Sequence, residues 1–140
     1  MGTYMTGPFQ TGTGLDNTGT DTGTVMLSQT ALIGFDADLV QDAVFTLPAN
    51  AQIVDIVVDA LTGYNSATSA TLSAGITSGG TEYVSGVNVK TTGRKANGYS
   101  AAQLAAMDDI DTNTSLYVTV TSVGQPTAGS VRATVLYVQN

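Results

Sequence analysis

The chain has 140 residues, 42% of them hydrophobic, which is enough for one domain with a sizeable core. Its net charge of −7, four Lys and Arg against eleven Asp and Glu, argues against nucleic acid as a partner, because duplex affinity rests on many cations. It contains no Cys, His or Trp, so there is no disulfide, thiol nucleophile or imidazole base.

Residues 1–24 stand apart. They hold six Gly and eight Thr, and only Met1, Tyr4, Met5, Phe9 and Leu15 are large and apolar. Such a stretch cannot bury enough surface to offset its own ordering entropy. It is expected to be an extended arm that takes its order from its own domain or from a neighbouring molecule, with Tyr4, Phe9 and Leu15 as anchors. Fully extended, it would reach about 80 Å at roughly 3.3 Å per residue. The start of the chain lacks the basic and apolar regions of a signal peptide, and no apolar run approaches a membrane span. No membrane partner is expected.

The body, residues 25–140, reads as one β-sandwich domain. Residues 25–34 (VMLSQTALIG) form a first strand, with Val25, Leu27, Ala31 and Ile33 on one face. A turn at 35–38 leads to a short strand at 43–47, stopped by Pro48, which cannot donate to a ladder. After a tight connection at 48–51, residues 52–60 (QIVDIVVDA) give the clearest strand. There Val54, Ile56, Val58 and Ala60 alternate with Asp55, Val57 and Asp59.

Ala70, Leu72, Ala74 and Ile76 mark another half-buried strand, and short strands follow at 81–85 and 87–91. The helical signal is residues 100–107 (SAAQLAAM), with Ser100 as N-cap and Gln103 closing a capping box. Leu116, Val118 and Val120, then Val131, Ala133, Val135 and Tyr137, read as a closing hairpin turned at 124–129. The expected core is Val54, Ile56, Val58, Leu72, Ile76, Leu116, Val118, Val120, Val131, Val135 and Tyr137. About eight strands separated by turns predict an all-β fold, an antiparallel two-sheet sandwich of jelly-roll type with one short helical insert.

Candidate chemistry is sparse. Lys90, Arg94 and Lys95 crowd into six positions and read as a solvated loop, with contact to an acidic neighbour as the alternative. Asp109, Asp111 and Asn113 imitate the start of a calcium loop beside Asp108. Thr114 stands where its turn Gly belongs, and Val120 where its closing Glu does. Asp36, Asp38 and Asp42 read as turn formers, and Asp55 and Asp59 as keeping a strand face soluble. No nucleophile and base can be paired, so neither catalysis nor a metal or other cofactor is expected.

Three stretches carry a resemblance to a known family: residues 45–56 (FTLPANAQIVDI), 86–94 (GVNVKTTGR), and 124–129 (GQPTAG) with the close at 137–139 (YVQ). They resemble small structural proteins of tailed-phage and gene-transfer-agent particles, related modules of which occur in head decoration, head spike and tail proteins. The resemblance covers about two thirds of the chain and leaves the arm unexplained. It implies a cement or decoration protein of the virion, made in the bacterial host cytoplasm and bound to the capsid surface. The major capsid protein would be its partner, with further copies of itself as a second partner. Tyr4, Phe9, Leu15, Lys90, Arg94 and Lys95 are then the capsid-contact candidates. The rival readings are a host-recognition spike or fibre-tip module stacking Tyr64, Tyr83 or Tyr99 on glycan, and a tail or baseplate subunit.

Overall fold

Period-two alternation runs through most of the body. In the computed structural model, which describes residues 25–139, it becomes eight strands and one helix. In chain order these are β1 (Met26–Gly34), β2 (Val40–Leu47), β3 (Ala51–Thr62), β4 (Ser69–Gly75), β5 (Val84–Asn88), β6 (Gly93–Lys95), α1 (Ala101–Asp108), β7 (Thr114–Val123) and β8 (Ser130–Gln139). The expected arm and its anchors Tyr4, Phe9 and Leu15 lie outside the described residues.

Two antiparallel sheets of four strands face each other, in the orders β1-β8-β3-β6 and β2-β7-β4-β5. Only β4 and β5 are neighbours in both sequence and sheet; every other connection crosses between sheets. That is the winding of an eight-stranded jelly roll. It corrects the expected closing hairpin: β7 and β8 lie in opposite sheets. Alternation alone cannot separate the two cases, since both strands turn one apolar face to the core either way. The connection is held by its neighbours instead, with Asn65 Oδ1 accepting from the backbone N–H of Thr127 and Ala128 at 2.8 and 3.1 Å.

The core fills the space between the sheets with Leu47, Ile56, Val58, Leu72, Leu116, Val118, Val120, Val131 and Val135, all fully buried. Each such side chain contributes about 1.5–3 kcal/mol by leaving water. Two expected core residues are outside. Val54 is 43% exposed because the β3–β8 register shifts between Ile53 and Asp55, a bulge that turns Ile53 inward in its place. Ile76 is 47% exposed because β4 ends at Gly75. There the Glu82 carboxylate and Gly80 press so close that a Cβ on Gly75 would overlap both, and Ile76 is left beyond the sheet.

The two short strands expected at 81–85 and 87–91 are one strand, β5, and β6 forms within the basic stretch. Helix α1 begins as its sequence directs: Ser100 Oγ accepts from Gln103 N–H at 3.2 Å, and Gln103 Oε1 accepts from Ser100 N–H at 2.9 Å. Met107 is its buried residue, and Ile110 just beyond donates its N–H to the Ala51 carbonyl. None of the helices among the described residues is long and apolar enough to cross a membrane.

Candidate interaction surfaces

The sheet orders leave four edge strands, two on each side of the sandwich. On one side β6 and β5 are only three and five residues long. This side holds Lys90, Arg94 and Lys95, and the structure separates their roles. Arg94 lies opposite Asp59 across the β3–β6 ladder, and Asp59 lies opposite Arg132 across the β3–β8 ladder. Asp59 therefore accepts from Arg94 Nε at 3.1 Å and from Arg132 Nη2 at 3.3 Å. The hydrogen bond from Arg94, with help from Arg132, holds the Asp59 carboxyl below its usual pKa. Lys95 Nζ donates to Thr91 Oγ1 at 2.7 Å, while Lys90 sits in the crossover from β5 to β6. Sequence reasoning missed the Asp59–Arg132 half of this row, because pairing across a ladder has no local spacing to betray it.

The bulge at Val54 builds a second cluster beside these cations. It brings Asp55 and the backbone of Ile56 against Tyr99 and Asn97 from the segment before α1. Tyr99 Oη donates to Asp55 Oδ1 at 2.7 Å and accepts from Ile56 N–H at 2.9 Å. Asn97 Nδ2 donates to Tyr99 Oη and to the Ile56 carbonyl. Burial, and then the bond to Asp55, push the Tyr99 phenol up to about 12, so it is neutral and useless as a base near pH 7. A cavity of about 240 Å³ opens here, lined by Asp55, Val57, Arg94, Lys95, Asn97 and Tyr99. Asn97 Oδ1 is buried without a hydrogen-bond partner among the described residues. The arrangement pins residues 97–99 to β3 and offers one spare acceptor.

Two tyrosines proposed for stacking on glycan are in the core. Tyr64 and Tyr83 are buried, and Tyr64 Oη donates to the Ile33 carbonyl at 3.3 Å. Around the end of α1, Asp109 Oδ1 accepts from Asp111 N–H, Asp108 from Gln52, and Asn113 Oδ1 from Ala49 N–H. Asp42 is not the turn former expected but lies within β2, opposite Thr119 of β7. Asp42 accepts from Thr119 at 2.6 Å and Ser78 at 2.8 Å.

The opposite side differs in kind. There β1 and β2 run nine and eight residues, and each pairs with one strand only among the described residues. β1 (MLSQTALIG) carries no charge. Met26, Leu27 and Leu32 on β1, with Val40 and Val44 on β2, are exposed, as are Phe35 and Leu39 in the loop between. Gln29 bridges the sheets by donating to the Thr46 carbonyl at 2.9 Å and to Tyr137 Oη at 3.1 Å. A long, apolar, uncharged edge is a ready template for another chain.

No family model matches this sequence, and no curated protein matches it. Among solved structures, the chain is similar to one in the cyanophage Pam1 capsid asymmetric unit, with a TM-score of 0.56 and 20% identity. The match covers 90% of this chain and 93% of that one, and at this identity what it shows is a shared fold.

Proposed function

We propose that this protein is a virion structural component that binds the outer surface of a phage capsid and strengthens it by bridging neighbouring major-capsid subunits. The observation that carries this reading is the near full-length likeness to a chain of a phage capsid asymmetric unit. The sequence resemblance to phage particle proteins points the same way. So does the apolar β1/β2 edge, which suits a protein that works by contact.

In this reading the protein performs no catalysis. Tyr99 is held neutral, Asp55 is spent on Tyr99, and Asp59 is shared between two arginines. Stabilisation comes from many modest contacts acting together across the shell. The arm adds contact area beyond the sandwich, with Tyr4, Phe9 and Leu15 as its anchors.

The test is stoichiometry and protection. Purified protein is added to particles that lack it, and occupancy and heat resistance are measured. Binding in the hundreds of copies per particle, with a higher rupture temperature, is the expected result. Saturation at about a dozen copies or fewer would overturn it in favour of a spike, fibre-tip or tail subunit.

A further inference from the structure

We infer that the open β1 edge binds the N-terminal arm, residues 1–24, of a second copy of this chain. The contact needs no capsid, so its test and the capsid test can fail separately.

The edge defines what its occupant must be. Along its nine residues, about 30 Å at roughly 3.3 Å per residue, β1 presents one flank whose main-chain groups pair with no strand among the described residues. Apolar side chains flank it on both faces of the sheet, Leu27 and Ala31 inward, Met26 and Leu32 outward. An extended, uncharged segment with spaced apolar residues would add a strand here and fill both flanks.

The arm has that chemistry. It contains no Lys or Arg, and its two acids, Asp16 and Asp21, lie after its large apolar residues. Its Thr content favours extended backbone. It also divides in two: residues 4–15 hold Tyr4, Met5, Phe9 and Leu15, while residues 16–24 (DNTGTDTGT) hold no large apolar side chain.

That division favours a neighbour over the arm's own edge. The arm joins the body at Val25, one residue before β1 begins. An arm turning straight back along its own β1 through a tight two-residue turn would lay roughly residues 15–23 on it. Those residues include a single large apolar side chain, Leu15, and Tyr4 and Phe9 would run past the strand's end. Used as a linker, residues 16–24 span about 30 Å. That carries the whole apolar stretch onto the edge of an adjoining copy.

The chain has no cysteine, which makes the test direct. Full-length Phe9→Cys and full-length Leu32→Cys are mixed in solution under mild oxidation, and the products are resolved by intact mass. A cross-linked pair of one of each is the expected result. A cross-link that forms only within a chain carrying both substitutions would assign the edge to its own arm and overturn the proposal; so would no cross-link in either case. Separately, Leu32→Asp should weaken self-association at least about tenfold in sedimentation, with an unchanged melting temperature at concentrations dilute enough to dissociate both proteins, because Leu32 is 66% exposed. Unchanged self-association would also overturn it.

Discussion

The two sides of this sandwich end the same pair of sheets in opposite ways. At β5/β6 the strands are short, and the chain leaving β3 is laid over the crossover between them. Tyr64 N–H donates to the Val89 carbonyl at 3.1 Å, Gly63 N–H to Thr92 Oγ1 at 3.2 Å, and Val89 is fully buried. At β1/β2 the strands are long and each pairs with one strand only among the described residues. Natural sheets blunt their edges unless the edge is used. One side of this molecule follows that rule and the other does not, and the exception is where the assembly contact is proposed.

The comparison rests on a core common to both sides. Val118 is fully buried on β7, the strand that pairs with β2 on one flank and β4 on the other. Val118→Asp would bury an unpaired carboxylate and cost about 4–5 kcal/mol, enough to unfold both sides together. Far-UV circular dichroism and urea titration would show this. A cooperative fold retained with a loss below 1 kcal/mol would mean that the sides are supported separately.

The next largest effect should be confined to the closed side. A Cβ on Gly63 would stand 2.2 Å from the Lys90 carbonyl oxygen, and backbone cannot move aside as a flexible side chain can. Gly63→Ala should cost about 2–3 kcal/mol in chemical denaturation while leaving β1 self-association unchanged.

Tyr99→Phe removes a hydrogen bond to a carboxylate and should cost about 1–2 kcal/mol. The pH dependence gives a sharper check. The folded-state pKa of Tyr99 is raised, so its contribution is complete below the unfolded value near 10. It is lost as pH climbs from there through about 12. The melting temperature of the unsubstituted protein should fall more steeply across that window than that of Tyr99→Phe.

The sequence shows elements more readily than their neighbours. The two-sheet class, the capping box of Ser100 and Gln103, and inward alternation in β7 and β8 all follow from residues within ten positions of each other. Strand order does not. β1 pairs with β8 about a hundred residues later, and Asp59 meets Arg94 and Arg132 only after three strands align. Bulges are equally silent: nothing in IVDI marks Val54 as the residue to be turned out, and the misplacing of Ile76 comes from a carboxylate six residues ahead. The surface candidates divide along the same line. The basic cluster was legible as composition, whereas the open edge was not, because β1 looks like an ordinary half-buried strand until its place at the end of the sheet among the described residues is seen.

The smallest effect asks whether charge or packing closes the β5/β6 side. Asp59 holds Arg94 and Arg132, yet those side chains are 69% and 48% exposed, so solvent screens both pairs. Asp59→Asn should therefore cost no more than about 1 kcal/mol, and less in high salt. The sign with pH follows from the lowered carboxyl. Its contribution is present above the unfolded value of 3.8 and is lost as pH falls through the lower folded value. The gap between Asp59→Asn and the unsubstituted protein should then be constant from neutral pH to about 5 and close in stronger acid. A gap near 3 kcal/mol at neutral pH would reverse the assignment. The ion row would then be what shuts this side, and the Gly63 packing would be secondary to it.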